Sequence, residues 1–229
     1  MVKLVDTLVL GTSALGRGGS TPSRGTMSLE LIVRRNRIII SRFFSVLFLF
    51  FLFTSSTPWF SNQIYFFSFI ALGFVFIWVS VVGRIWASIY LSGYKDNRII
   101  SVGPFSLVRN PLYIFSLSGL IGIGLATASF IMLGSMLTVY FLIYHHTINS
   151  EEFYLNQKFG DEYNNYKLRT NKLLPSKKNF LEPSEYKIKT KFVMNSVIDA
   201  MWFVVGFLFL LGVHLLHYKS LLPVFFNLY

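Results

Sequence analysis

Long apolar runs separated by short polar or basic segments organise the chain from residue 38 onward. Five stretches are long enough, or nearly so, to cross a hydrocarbon core, which takes about 20 helical residues. The first runs from Ile38 to about Ser55, behind Arg34, Arg35 and Arg37, and the second from Ile64 to Val82. The tract Leu112 to Ile148 is too long for one span. It predicts a tight helical hairpin turning near Thr127 to Ser129. The fifth stretch runs from Phe192 to about Leu216. The expected fold is all-α: a polytopic transmembrane helical protein with about five spans.

Ahead of these spans, residues 1–26 are rich in Gly, Ser and Thr, and Asp6 precedes an apolar run, Leu8 to Leu10, too short for a signal-peptide core. They read as a flexible leader or a non-native segment outside the fold, with Met27 as a natural start. The remainder divides into N-terminal transmembrane helices (27–82), a core of hairpin and polar motifs (83–175), and a linker with a last transmembrane helix (176–229).

Composition agrees with the pattern. Only 14% of residues are charged, against about a quarter in soluble domains. The net charge of +11 would suggest nucleic acid in a soluble protein. Here the basic residues flank apolar spans, where they orient membrane helices, so no nucleic-acid partner is expected. The chain has no cysteine, which excludes disulfides, thiolate metal sites and cysteine nucleophiles.

Charge placement predicts the topology. No charged residue falls in Ser56 to Gln63 or at the hairpin turn, whereas Arg84, Lys95, Arg98 and Arg109 lie between spans two and three. A longer basic series from Lys158 to Lys191 lies between spans four and five. With basic loops inside, the N-terminus is cytoplasmic and the C-terminus outside, in the cell membrane of a bacterium or the endoplasmic reticulum of a eukaryote. Two polar segments, Gly83 to Asn110 and Asn149 to Lys191, then share the cytoplasmic face. No internal repeat of the transporter kind is apparent. Asp199 is the one clear intramembrane charge, about 10 Å into the last span, where a polar contact with a neighbouring helix is expected.

The first polar segment contains Gly103-Pro104, a turn signal, and Asn110-Pro111, a helix start with Asn as N-cap and Pro at the first helical position. Free N–H groups beside Arg109 would suit a carboxylate or phosphate; alternatively Arg109 marks only the positive-inside boundary. The second contains Glu151 and Glu152. With Asn149 three residues before Glu152, they have the form of a capping box opening a new helix that Gly160 would close. That accounts for the pair without a ligand. His145 and His146 are adjacent and point to different helix faces, so no metal site is expected. Gly119, Gly122 and Gly124 fit close helix packing better than a cofactor's approach.

Taken together, Gly-Pro-Phe-x-x-x-Arg-Asn-Pro-x-Tyr (103–113), a helical hairpin, and Glu-Glu-x-x-Leu-x-x-x-Phe-Gly-x-Glu-Tyr-x-x-Tyr (151–166) resemble the isoprenylcysteine carboxyl methyltransferase and phospholipid methyltransferase superfamily. These are integral membrane enzymes that use S-adenosylmethionine. The resemblance covers about Gly83 to Pro175. It implies that Glu151 and Glu152 hold the cofactor's charged amino-acid portion, with Gly103, Pro104, Arg109, Asn110, Pro111, Tyr113 and Tyr163 around it. It also implies a lipophilic or lipid-anchored substrate drawn from the membrane lipids, its acceptor group held by Arg109 or Arg84. Many members carry His at the place of Asn110, and Asn is no proton-transfer base near neutral pH. A carboxylate acceptor such as a prenylcysteine needs no base; a phospholipid amine does, and Glu152 is the nearest candidate. A non-catalytic scaffold or small transporter is the reading from another class. No Gly-rich dinucleotide fingerprint supports a nicotinamide-binding relative.

Overall fold

The computed structural model describes residues 42–57, 62–92, 98–176, 180–185 and 187–227, the side chain of residue 146 excepted. The expected leader, Arg34, Arg35, Arg37, the first residues of span one, and Lys95, Lys177 and Lys178 lie outside the described residues. The chain divides into two compact units, Met1–Leu52 and Phe53–Tyr229. The described part of the first belongs to helix α1 (Arg42–Thr54), along which the rings of Phe43 and Phe44, and of Phe50 and Phe51, meet edge to face.

The second unit contains β1 (Ser55–Ser56), α2 (Gln63–Ser92), α3 (Pro104–Leu107), α4 (Pro111–Ala126), α5 (Phe130–Phe159), α6 (Asp161–Arg169), α7 (Thr190–Tyr218) and β2 (Phe226–Asn227). Among the described residues, α2, α5 and α7 are long and apolar enough to cross a membrane, and α1 and α4 are shorter apolar helices. All five lie where apolar length predicts them, and the chain is an integral membrane protein. At 16 residues, α4 is about 24 Å long, somewhat less than a hydrocarbon core.

The unit buries several small and polar side chains beside apolar ones such as Ile77 and Leu210, and turns many large apolar ones outward, the pattern expected when the solvent is lipid. Phe67, Trp78, Phe141, Leu142, Trp202 and Leu208 are exposed. Ser80, Arg84, Ser88 and Ser116 are buried. α2 packs along α4, α7 lies against both, and α5 rests chiefly on α4. The α2–α4 contact depends on paired glycines: a Cβ on Gly73 would lie 2.7 Å from the Gly122 carbonyl oxygen, and one on Gly122 equally close to that of Gly73. The glycines of α4 thus serve helix packing, Gly119 against Phe203 and Ser80, and Gly124 against Leu133.

The hairpin turn falls at Thr127–Ser129. Ala128 takes a positive φ of 52°, and the Ser129 side chain caps α5 by accepting from the Met132 N–H. This end of the unit carries little charge among the described residues, with Lys219 just past α7. His214 on α7 reaches the Ala126 carbonyl at 2.7 Å, and β2 pairs parallel with β1, Ser55 opposite Phe226. The polar segments gather at the opposite end, where the Lys189 N–H donates to Ser92 Oγ at 3.3 Å.

Two local expectations are corrected. α2 does not stop at Val82 but continues to Ser92, because no proline interrupts residues 83–92 and Arg84, Ser88 and Tyr90 are buried against neighbouring elements. Arg84 is therefore an intrahelical residue rather than a loop residue. Likewise α5 does not end at Ile148: it runs unbroken to Phe159, and no new helix begins at Asn149. The capping-box form of Asn149 and Glu152 is not used as a cap. Gly160 does terminate the helix, at φ 51°.

Candidate functional site

The polar end is built around α4's first residue. Asn110 is its N-cap and Pro111 occupies the first turn, but the Asn side chain forms no capping bond. It turns outward instead: Nδ2 donates to Glu152 Oε1 at 3.4 Å and to the Lys172 carbonyl at 3.2 Å. Glu152 also pairs with Arg109 at 3.1 Å and with Lys172 at 3.8 Å. Arg109 and Glu152 have side-chain exposures of 11% and 14%, so this ion pair is shielded and worth more than a surface pair. Arg109 further donates to the Lys167 carbonyl at 3.3 Å. Lys172 reaches Asn149 Oδ1 at 2.5 Å.

Glu151 and Glu152 are about 100° apart on α5 and are put to different uses. Glu152 faces the cations. Glu151 faces the Tyr113 hydroxyl, though outside good hydrogen-bond geometry. Tyr163 on α6 is buried beneath both, at 1% exposure. Burial pushes its phenol up to about 12, with the negative Glu152 adding to the shift and Arg109 opposing it. Burial also raises Tyr166, whose hydroxyl donates to the Phe105 carbonyl at 2.7 Å.

Residues 171–176 and 180–182 form a strap that runs antiparallel to 103–109 and holds that loop in place. The Arg109 N–H donates to the Asn171 carbonyl at 2.9 Å, Ser176 N–H to Leu107 at 2.9 Å, and Gly103 N–H to Leu181 at 2.7 Å. Tyr90 donates to Glu182 at 3.1 Å. Gly103 sits at φ 59°, and any Cβ there would strike the Tyr90 ring. Only glycine meets both demands.

Below the ion pairs, Tyr113 meets Tyr144 edge to face at 5.2 Å, and Tyr144 stacks on Tyr140 at 4.2 Å. Tyr140 donates to the Tyr113 carbonyl at 2.6 Å. Arg84 lies beneath these rings, bonded to Ser116 and over the Phe203 ring at 5.6 Å.

The structure thus brings together Arg109, Asn110, Glu151, Glu152, Tyr113 and Tyr163. Pro111 supports them at the start of α4. Gly103 and Pro104 stand apart, in the α3 turn under the strap, and Arg84 occupies a separate place deeper in the unit. Sequence reasoning missed Lys172, Tyr140, Tyr144 and Tyr166. Of these only the regular Tyr140–Tyr144 spacing on one helix face carried a signal. Among the described residues, no group of three or more His, Cys, Asp or Glu side chains is placed to hold a metal ion.

The chain is similar to known proteins, and the segment that matches a family model contains Arg109, Asn110, Tyr113, Glu151 and Glu152. The chain is 28% identical over 197 residues, 86% of its length, to the nickel-cobalt-cadmium resistance protein NccN of Alcaligenes xylosoxydans xylosoxydans, covering 92% of that protein. It is 30% identical over 134 residues, 58% of its length, to the cobalt-zinc-cadmium resistance protein CzcN of Cupriavidus metallidurans, covering 62% of it. No solved structure matches the chain. Residues 64–162, from the start of α2 to the beginning of α6, match the family model described as phospholipid methyltransferase.

Proposed function

We propose that the protein is an S-adenosylmethionine-dependent methyltransferase that O-methylates a lipophilic carboxylate, a prenylcysteine or a molecule like it. The observation that carries this reading is the divided acidic pair: Glu152 held by Arg109, Lys172 and Asn110, with Glu151 turned toward Tyr113. The cofactor's amino-acid portion carries an ammonium and a carboxylate. The cluster offers the Glu151 carboxylate for the first and the Arg109 and Lys172 cations, held in place by Glu152, for the second, so the donor set fits. The bound cofactor would supply an activated methyl group on its sulfonium.

Asn110 and Arg109 support the acceptor assignment. Glu152 Oε1 already accepts from Arg109 and Asn110, and Oε2 faces Lys172. Both its oxygens are committed to protein donors, and Asn110 offers no base. An ionised carboxylate needs none: its oxygen forms the bond to the methyl carbon, the carbon–sulfur bond breaks, and no proton moves. The chain's contribution is then to orient and desolvate. The basic end of the unit would face the cytoplasm, where the cofactor is found.

The test is a cofactor-binding titration on the purified protein and on Glu151→Gln with Glu152→Gln, followed by incubation with labelled cofactor and either a prenylcysteine or a phospholipid amine. Micromolar binding lost in the double variant, with label in the carboxylate acceptor, supports the reading. Absence of binding in the native protein sinks it in favour of a scaffold or transporter. Label in the amine alone replaces it with phospholipid N-methylation.

A further inference from the structure

Residues 149–159 carry α5 about 16 Å beyond the apolar tract that ends at Ile148. The chain turns at Gly160, and α6 brings it back. Tyr166 donates to the Phe105 carbonyl, Arg109 to the Lys167 carbonyl, and the Arg109 N–H to the Asn171 carbonyl. Residues 167–171 therefore stand level with Arg109, just before α4 begins at Pro111 and the apolar tract begins at Leu112. The last turn of α6 and the first residues of the strap thus lie at the edge of the hydrocarbon core, not out in water with the tip of α5.

This stretch reads Lys167-Leu168-Arg169-Thr170-Asn171-Lys172-Leu173-Leu174. Leu168 is 85% exposed and Leu174 76%, so neither side chain serves the packing of the unit. Leu168 lies about 140° around α6 from Tyr163 and about 200° from Tyr166. Those are the two rings that α6 buries, so Leu168 points away from the unit, with Lys167 and Arg169 exposed beside it. A single exposed leucine on a soluble surface is ordinary. At the edge of a bilayer, leucines interleaved with lysine and arginine have a use: the apolar side chain enters the acyl boundary while the cation reaches a phosphate.

We propose that residues 167–174 form an interfacial anchor that docks on anionic phospholipid headgroups, Leu168 and Leu174 entering the leaflet and Lys167 and Arg169 pairing with phosphates. Lys172 takes no part, being turned to Glu152. Charge selects the partner. Between Glu162 and Glu182 the chain has five cations and no acid, an excess that suits an anionic leaflet and repels a basic protein. The same stretch supplies the Lys172 ammonium and the two carbonyls, of Lys167 and Asn171, that hold Arg109. Docking would brace it from outside and so keep the ion-pair cluster in register for the cofactor. This deepens the proposed function and rests on it for what the cluster binds, while the anchor stands on its own geometry.

The experiment uses the full chain in nanodiscs of phosphatidylcholine alone, or with a third of it replaced by phosphatidylglycerol. The chain has no cysteine, so Leu174→Cys and, at the tip of α5, Gln157→Cys can each carry a polarity-sensitive fluorophore without further change. Nitroxide lipid should quench the label at 174 at least threefold more strongly in the anionic nanodiscs and leave the label at 157 unaffected in both. High salt should remove the gain, as should Lys167→Gln with Arg169→Gln, and Leu168→Ser should reduce it. Cofactor affinity should be at least threefold tighter in the anionic nanodiscs, and the double variant should lose that difference. Equal quenching at 174 in the two bilayers overturns the anchor. So does a label there that only aqueous quenchers reach, a result that would leave the surface to a protein partner. Quenching as expected with cofactor affinity indifferent to lipid keeps the anchor and overturns the bracing. Cofactor binding in neither bilayer removes the methyltransferase reading, and the quenching alone then decides the anchor.

Discussion

Replacing Gly122 with alanine tests whether α2 and α4 meet backbone to backbone. The added methyl would lie 2.7 Å from the Gly73 carbonyl oxygen and 2.9 Å from Ile77 Cγ1. Ile77 can rotate away, but a carbonyl within a helix cannot. Ordinary carbon–oxygen contact then requires the helices to part by roughly 0.7 Å. Overpacking of this kind costs about 1–3 kcal/mol, and alanine returns about 0.5–1 kcal/mol of helix propensity. Net destabilisation should be ~1 kcal/mol, a fall of about 2–4 °C in melting temperature for a chain this size. Gly134 on α5 is the control, since nothing lies within 4 Å of its added Cβ. There the propensity gain acts alone, and Gly134→Ala should raise the melting temperature slightly. Thermal unfolding of both variants in one detergent, followed by tryptophan fluorescence, reads the difference in sign. If Gly122→Ala is as stable as the native protein, or if the two variants move together, the close approach of α2 and α4 is wrong.

Three other outcomes are expected. Glu152→Gln leaves Arg109 and Lys172 without their shared counter-charge and should weaken cofactor binding tenfold or more by calorimetry; unchanged affinity would remove Glu152 from the site. Gly103→Ala meets both a positive φ and the Tyr90 ring, and should loosen the strap, giving faster amide exchange at Leu181 and Ser106; unchanged exchange would refute the fit. Tyr163, with a phenol at about 12 when folded against about 10 unfolded, binds its proton more tightly in the native state. Its contribution to stability is complete below pH 10 and is lost as pH rises toward 12, at up to ~1.4 kcal/mol per unit. Tyr163→Phe should therefore flatten the alkaline fall in melting temperature, and an unaltered fall would count against the burial.

Much of the frame was legible because length and hydropathy govern membrane helices. The hairpin turn at Thr127–Ser129 and the Gly160 stop each have a local cause, a short polar break and a residue tolerant of positive φ. The errors arose where a local motif competed with tertiary contacts. Asn149 and Glu152 have the spacing of a cap, yet their partners, Lys172 and Arg109, are distant in sequence, and nothing breaks the helix between Ile148 and Phe159. Arg84 read as a loop residue because it is charged, but Ser116 and Phe203 hold it within α2. For the site, the motifs identified Arg109, Asn110 and Glu152 one by one. That Asn110 bonds Glu152, and that the two glutamates face different ways, depends on how α4 and α5 pack.

The strap also bears on how the protein is made. A ribosome that has synthesised both polar motifs, through Tyr166, has not yet supplied Asn171, Ser176 and Leu181, whose backbone groups hold the Gly103–Arg109 loop. Lys172, one of the two cations on Glu152, arrives in the same stretch. The matched family segment ends earlier still, at residue 162. The hairpin can therefore insert early, but the cluster on its polar rim closes only when the strap has left the exit tunnel and folded back. A chain released before that point would carry every motif residue but lack the strap bonds that fix the Gly103–Arg109 loop.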